Sequence, residues 1–204
     1  MEITAHDEDK RTHIFTLNTK IIEQANILRR AMFHVETWAI DYVTFYINKT
    51  EFKDEVIASI LGLLPVDNDT LVKEYEIDDN ERILEHVFPI HVVAGDEQRL
   101  ITTKDIEGLP FVKEFPILLL NTNQELHCTV ILKKGNGNLH DKWKPAACIR
   151  VYQENEDEDT QLLFISKDMM DPETIVERAI VKIPAAEKEK PLDIFSKPVV
   201  IPFQ

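Results

Sequence analysis

The sequence predicts an α+β fold, with helices near both ends of the chain and a mainly β segment between them. Helical spacing of apolar residues recurs at residues 20–35, 52–64 and 172–183. Short runs of β-branched and aromatic residues, separated by glycine and proline, fill residues 66–142. With 204 residues, 44% of them hydrophobic, the chain can bury the core of one medium domain or of two small intertwined ones.

The first predicted elements are a hairpin and a helix. Residues 2–5 and 12–17 alternate polar and apolar side chains around a turn-forming segment, which is typical of a β-hairpin. Asn18 and Thr19 offer an N-cap to the helix predicted over residues 20–35. Because this helix carries apolar residues on more than one side, we expect it to need two packing surfaces, its own sheet and a partner chain.

A strand and a second helix follow. Residues 38–48 are rich in aromatic and β-branched side chains, which predicts a strand. Residues 52–64 have the spacing of a helix with an aliphatic buried side, and Pro65 ends it. The residues expected on that buried side are Val56, Ile57, Ile60, Leu61 and Leu64.

The segment from residue 66 to about residue 142 predicts a mainly β insertion. Its apolar runs are short, and glycines and prolines between them mark turns. Strands are expected at residues 72–77, 83–93, 117–120 and 126–133.

The C-terminal part predicts two more strands and a last helix. Residues 147–152 and 162–166 have strand character and flank a run of acidic residues that we expect to form a solvated loop. Asp171 followed by Pro172 is a strong helix start, because Asp caps free amide groups and Pro fits the first helical position. This helix is expected to end before Pro184.

Charge and composition exclude several classes of function. The net charge of −14 and the pI near 4.9 repel phosphate, so a broad surface for DNA or RNA is not expected. No run approaches the ~18 apolar residues of a membrane span. The acidic N-terminus lacks the apolar region of a signal peptide. Cys128 and Cys148 are too few for a disulfide scaffold, so we expect reduced thiols in a soluble intracellular protein.

The polar residues form no recognisable catalytic, cofactor-binding or metal-binding motif. None of the seven histidines is paired at the His-x-x-x-His spacing that places two ligands on one helix face. The sequence has no glycine-rich phosphate loop, and its serines lack the surroundings of a nucleophile elbow. We therefore expect no catalytic residue, no cofactor and no metal, and an enzyme acting alone is the least favoured class.

Two adjacent arginines in the first predicted helix suggest a contact site. Arg29 and Arg30 lie within an otherwise apolar pattern, and a buried guanidinium without acceptors is very costly. Either they reach solvent along their aliphatic stems, or they anchor carboxylates or carbonyl groups of a neighbouring subunit.

Several ordered segments resemble the alpha-like subunits of multisubunit DNA-dependent RNA polymerases. They read ANILRRAM, TWAIDYV, NKT followed by DEVIA, LGLLP, and KG followed by HDKWKPAA. Residues 103–106 give a weaker match in the right order. The resemblance spans roughly residues 2–183. It is stronger to the archaeal members of the family and to the third-largest subunit of eukaryotic RNA polymerase II than to bacterial alpha.

The resemblance implies a domain organisation. An α/β dimerisation domain is formed by both chain ends, at residues 1–65 and 143–183. A β-rich domain is inserted at residues 66–142. Residues 184–204 hold four prolines and are expected to form an extended tail.

The resemblance also implies a role without an active site of its own. The first and last helices would pair with a smaller alpha-like subunit, and the heterodimer would dock the two largest, catalytic subunits. A lone chain would then expose an apolar patch along its first helix, at Ile21, Ala25, Leu28 and Met32. The expected interface residues are Ile21, Ile22, Ala25, Leu28, Arg29, Arg30, Met32, Phe33, Asp54, Glu55, His140, Lys142, Trp143, Ile175 and Ala179.

The sequence departs from the family pattern at several places. Glu36 precedes Thr37 where the family usually has proline, and residues 58–62 lack the basic residue of close relatives, so docking to a large subunit should differ in detail. The cysteine cluster of some members is missing, and Pro184 shortens the last helix. Such divergence suits a polymerase of a large DNA virus as well as a divergent cellular one, with location in nucleus, cytoplasm or virion.

A second class of function stays open. The same fold could serve a free-standing acidic interaction module or transcription regulator, which would be stable and monodisperse alone. Exposed apolar surface on the first helix distinguishes the two, because a free-standing module has no need of it.

Overall fold

The computed structural model describes residues 4–5, 12–18, 22–75, 87–152, 160–166 and 168–183. In chain order its elements are β1 (Thr4–Ala5), β2 (Thr12–Asn18), α1 (Ile22–Met32), β3 (Thr37–Asn48), α2 (Asp54–Gly62), α3 (Asn68–Tyr75), β4 (Val87–Val93), β5 (Arg99–Thr102), β6 (Pro116–Leu120), β7 (Glu125–Gly135), β8 (Ile149–Tyr152), β9 (Thr160–Ser166) and α4 (Pro172–Lys182). The chain divides into two compact units, the first formed by residues 1–36 and 136–204 and the second by residues 37–135.

The first unit contains a four-stranded antiparallel sheet and two helices. The strand order is β1-β2-β9-β8, so the predicted N-terminal hairpin pairs with a strand from the far end of the chain. Ile14 lies opposite Phe164, and Ile149 lies opposite Ile165. The sheet therefore joins both ends of the chain into one unit.

Helices α1 and α4 pack together in the core of the first unit. Ala25, Leu28 and Met32 of α1 are fully buried there, together with Ile175 and Ala179 of α4. Leu163 and Ile165 of β9 belong to the same cluster. The apolar spacing that predicts these helices thus marks their packing within this chain.

The predicted start of α4 is confirmed. The Asp171 carboxylate accepts a hydrogen bond of 3.1 Å from the Glu173 amide, and Pro172 occupies the first helical position. This cap satisfies an amide that the helix leaves free, and Pro has no amide to leave unpaired. Ile183 caps the other end, directly before Pro184.

The second unit is built around the antiparallel sheet β3-β7-β4. One face of this sheet is buried against a core that includes Ile57 and Leu61 of α2. A separate two-stranded sheet, β5 with β6, completes the unit. Buried residues alternate with exposed ones along β4 and with partly buried ones along β7, which shows that one side of the larger sheet faces the core.

The mixed α+β class is confirmed, but in the insertion one predicted strand begins as a helix and one strand was not predicted. Residues 72–75, expected to begin a strand, belong to α3. Asp67 stabilises the start of this helix, because its carboxylate accepts from the Thr70 amide at 3.1 Å and from the Thr70 hydroxyl at 2.8 Å. Strand β5 was not predicted, because only Leu100 and Ile101 are apolar among its four residues.

The boundaries of the two compact units differ from the predicted domain boundaries. The units change at residues 36/37 and 135/136, whereas the predicted domains change at 65/66 and 142/143. Strand β3 and helix α2 thus pack within the second unit. The predicted domains concern which residues serve dimerisation, and that assignment stays a prediction. The acidic loop at 153–159 and the tail lie outside the described residues.

Candidate protein interface

The segment that follows β7 forms a compact loop in the first unit. The Asn136 carbonyl accepts hydrogen bonds from the amides of Leu139, at 3.0 Å, and His140, at 3.4 Å. A short 3-10 helix, Asp141–Trp143, comes next, and the His140 Nδ1 atom accepts from the Lys142 amide at 3.1 Å. The loop is therefore held by its own hydrogen bonds.

This loop lies against the C-terminal end of α1. The Lys144 Nζ atom lies 5.3 Å from the centre of the Phe33 ring, and Asn138 Nδ2 lies 2.9 Å from His34 Nδ1. Gly137 passes so close that an added Cβ would lie 3.3 Å from Phe33 Cδ1, which favours glycine here. The predicted interface residue Phe33 thus contacts the loop that carries His140, Lys142 and Trp143.

Trp143 anchors the loop and supports its surface residues. Its side chain is buried, the Lys142 Nζ atom lies 4.4 Å above its ring, and the His140 ring meets it edge-on at 6.4 Å. Such cation–π contacts add modest stability and restrict the lysine. Leu139 in the same loop is 70% exposed and was not predicted as an interface residue.

A groove of about 440 Å³ opens beside α1 and α4 in the same unit. Its lining combines the cationic groups of Arg30 and Lys182 with the His34 ring and the aliphatic side chains of Ile27 and Ile183. The groove also contains Glu36, whose carboxylate lies 3.7 Å from Lys182 Nζ. The site therefore offers apolar contact and positive charge in a chain whose net charge is −14.

The two arginines differ in their surroundings. Arg29 is half-buried, and its Nε atom donates to Asn26 Oδ1 at 3.1 Å, so it is held along its own helix. Arg30 is exposed and lines the groove. Of the two interpretations drawn from the sequence, solvent access describes Arg30, and its contact with a neighbouring subunit stays a prediction.

The expected apolar patch on the first helix is wrong for the residues that the structure describes. Ala25, Leu28 and Met32 are fully buried in the core of the first unit because α4 and β9 cover them. Ile175 and Ala179 are buried in the same way. Ile21 and the side chain of Ile22 lie outside the described residues.

Asp54 and Glu55 belong to the second unit, at the exposed start of α2. The Asn48 Nδ2 atom donates to Asp54 Oδ1 at 2.6 Å, which ties the carboxylate to the end of β3. Acidic groups in the first turn also interact favourably with the helix dipole.

Helix α2 carries an exposed apolar stripe that the sequence did not distinguish from its buried side. Phe52, Val56 and Leu63 are about half exposed or more, and Ile60 between them is partly buried. Val56 was expected inside and lies outside. Val56, Ile60 and the C-cap residue Leu63 are spaced by four and three residues, which puts their side chains on one helix face, and Phe52 lies just before the helix.

Neither Cys128 nor Cys148 forms a disulfide bond. Cys128 is buried in the second unit, and burial raises the pKa of its thiol to about 12, with a smaller contribution from the charge of Asp54. A thiol with so high a pKa carries almost no thiolate at neutral pH, so Cys128 is a core residue and no nucleophile.

Neither a membrane span nor a metal site is present in the part of the chain that the structure describes. No helix there combines the length and the apolar character needed to cross a membrane. No group of three or more His, Cys, Asp and Glu side chains in those ranges is arranged to hold a metal ion.

Comparison with known proteins shows which proteins the chain is similar to. No model of a protein family matches the chain. The chain is 31% identical over 171 residues to DNA-directed RNA polymerase subunit Rpo3 of Methanocaldococcus jannaschii, a match that covers 82% of each chain. It is 30% identical over 161 residues to DNA-directed RNA polymerase II subunit rpb3 of Dictyostelium discoideum, covering 69% of this chain and 53% of that protein.

A plant relative extends the pattern. The chain is 29% identical over 185 residues to subunit 3 of DNA-directed RNA polymerases II, IV and V of Arabidopsis thaliana, covering 77% of this chain and 56% of that protein. It thus spans only about half the length of these two eukaryotic relatives, although it spans most of the archaeal one. The resemblance based on the sequence motifs is confirmed, and the chain belongs to the family of DNA-directed RNA polymerase subunits that includes archaeal Rpo3 and subunit 3 of RNA polymerase II.

Proposed function

We propose that the protein is a non-catalytic assembly subunit of a DNA-dependent RNA polymerase. In this role it pairs with a smaller alpha-like subunit and docks the two largest subunits, which carry the nucleotidyl transfer. The packing of the loop after β7 on the end of α1 carries the proposal, because it joins two of the family's sequence motifs on one surface of the first unit.

The composition of that surface supports a protein partner. The groove beside α1 offers Arg30 and Lys182 next to aliphatic side chains, and the adjacent loop presents Leu139. Arginine is enriched among the residues that contribute most to protein–protein binding, and the contacts that surround such residues exclude water. A partner helix with apolar residues and a carboxylate for Arg30 would complement this surface.

The exposed stripe on α2 supports a second contact. Val56 lies on the helix, Phe52 and Leu63 lie just outside its two ends, and Asp54 and Glu55 provide charge at its start. We assign this face to a large subunit.

The proposal includes the predicted division into a dimerisation domain, at residues 1–65 and 143–183, and a β-rich insertion. It also places the protein in the compartment where DNA is transcribed.

One observation favours the alternative of a free-standing interaction module. Ala25, Leu28 and Met32 are covered by the chain's own residues, so the first unit has a core without a partner. A protein of this kind would stay monomeric in the cell and would be recovered without polymerase subunits.

A charge reversal in the groove tests the assembly role. We expect Arg30→Glu, and more weakly Arg30→Ala, to leave the melting temperature unchanged because the side chain is exposed. Assembly with the polymerase subunits should weaken, by about tenfold or more for the reversal, if Arg30 is an interface anchor. Recovery of polymerase subunits on the tagged variant, quantified by mass spectrometry, gives the measurement.

Arg150→Glu is the matched control, because Arg150 is also exposed and lies on β8 of the same unit. It should assemble as the unchanged protein does. Equal recovery with Arg30→Glu, or a loss accompanied by unfolding, would remove Arg30 from the interface.

A further inference from the structure

The sheet β3-β7-β4 has a face that the described parts of the chain leave exposed, and this face is apolar and aromatic where a solvent-exposed face is normally polar. Along β4 the exposed positions are Val87, Pro89, His91 and Val93, and none of them carries a permanent charge. The solvent face of an antiparallel sheet usually shows polar residues in alternation with the buried ones. This face therefore has the composition of a contact surface.

A row of aromatic rings crosses all three strands of this face. The ring centres of Tyr46 and His127 lie 4.9 Å apart, and those of His127 and His91 lie 4.6 Å apart in a stacked arrangement. The Tyr46 hydroxyl lies 3.5 Å from Thr129 Oγ1. Tyr46 is nevertheless 58% exposed, so one side of the row faces solvent.

A second apolar row lies farther along the same sheet. Ile131 of β7 is the register partner of both Tyr42 on β3 and Val87 on β4. Tyr42 is 56% exposed and Val87 is 46% exposed. Tyrosine is enriched at protein interfaces because it buries a large area at low cost in conformational entropy.

The charged residues lie at the two ends of this face and are already paired. At one end Glu125 contacts Lys49 at 2.7 Å and His91 at 3.3 Å, and the hydrogen bonds from these two groups lower the pKa of the Glu125 carboxyl. At the other end Lys133 lies 3.6 Å from Asp41. An aromatic centre with charges at the rim is the usual anatomy of a protein interface.

The size of the face limits its occupant. Strands about 4.8 Å apart and a rise of about 3.3 Å per residue give an area of roughly 20 Å by 10 Å, or about 200 Å². A stable interface between two globular proteins buries about 800 Å² on each side, so a second copy of the chain needs more than this face. One α-helix, about 10 Å wide and about 13 residues long, matches it.

We propose that this face binds a single amphipathic helix supplied by another protein. Helices are the usual cover of a sheet face, and the apolar rows would receive an apolar stripe at helical spacing. The Tyr42 hydroxyl and the His127 ring can donate hydrogen bonds to a carboxylate, so the helix carries Asp or Glu beside its stripe. This surface belongs to the second unit and stands independently of the role proposed for the groove and α2.

Nucleic acid is the less favoured occupant, although aromatic rows also stack bases. The net charge of −14 repels phosphate, and the lysines at the rim, Lys49 and Lys133, already contact carboxylates.

Photocrosslinking from the centre of the face tests the proposal. Thr44 is exposed and is the register partner of Thr129, so a benzoylphenylalanine in its place samples whatever covers the sheet. The full-length tagged chain is irradiated in its native extract, and the crosslinked peptide is sequenced by mass spectrometry. The expected product is one segment of another protein, with apolar residues at helical spacing and an adjacent Asp or Glu.

Two variants make the result specific. Replacing both tyrosines, Tyr42→Glu with Tyr46→Glu, should lower the crosslink yield by about tenfold or more. The variant loses the two tyrosine side chains that the bound helix would bury, and its new carboxylates repel those of the helix. Leu119→Glu, an equally exposed apolar position on β6 of the same unit, should leave the yield unchanged. A crosslink to nucleic acid, to a second copy, to a segment without helical periodicity, or to nothing would overturn the proposal.

Discussion

Single buried polar residues decide local structure that no periodic pattern reveals. Asn68 is almost fully buried, and its side-chain oxygen accepts from the Trp38 amide at 2.6 Å. Its Nδ2 atom donates to the carbonyl groups of Trp38, at 3.2 Å, and Val66, at 3.0 Å. The side chain thus supplies the start of β3 with the hydrogen bonds that a neighbouring strand would otherwise provide.

Substitution of this residue should be strongly destabilising. Asn68→Leu keeps the branched shape of the side chain but leaves one buried amide and two carbonyl groups without this partner, at a cost of about 2–4 kcal/mol in the free energy of unfolding. Urea denaturation monitored by tryptophan fluorescence measures the loss. Thr122→Leu, at an exposed loop position, should change stability by less than about 0.5 kcal/mol. Equal stability of the two variants would contradict the bridging role.

The raised pKa of Cys128 gives a second prediction at this scale. Because the thiolate is the reactive form, Cys128 should react with iodoacetamide at neutral pH only when the second unit unfolds. Peptide mapping after labelling in native buffer and in urea separates it from Cys148. Rapid modification of Cys128 in native buffer would show that the thiol is accessible and ionised.

At the scale of elements, the sequence predicted most helices and strands but could not show which residues pack against each of them. Hydrophobic spacing locates α1, α2 and α4, because a helix must bury one side whatever its neighbour is. It could not show that α4 and β9 cover Leu28, since the residues that meet across that core lie more than a hundred positions apart. For the same reason Val56 was assigned to the wrong side of α2.

The burial of Leu28 changes what its substitution tests. Leu28 was expected to lie in the partner interface, and the structure shows that Leu28→Asp would place a carboxylate in the core of the first unit. We expect a loss of about 3–5 kcal/mol in the free energy of unfolding, so any loss of binding would follow from loss of the fold. Circular dichroism in urea measures this. A folded Leu28→Asp variant that fails only in assembly would return Leu28 to the interface.

At the scale of the whole molecule, order along the chain carried more information than any single motif. Segments between residues 25 and 147 match the family in sequence order, and this order identified the family where composition alone could not. The positions of the unit boundaries, between Glu36 and Thr37 and between Gly135 and Asn136, could not be predicted in the same way. They depend on which strands pair, and β3 pairs with β7 from the far end of the insertion.

The partners of this chain are the central claim, and one measurement addresses them most directly. The tagged full-length chain is purified from its native extract under gentle conditions, and the proteins recovered with it are identified and counted by mass spectrometry. We expect two very large polymerase subunits and a smaller alpha-like subunit in equal amounts with this chain. Recovery of the chain alone, folded and monomeric, would contradict the assembly role and leave a free-standing interaction module in its place.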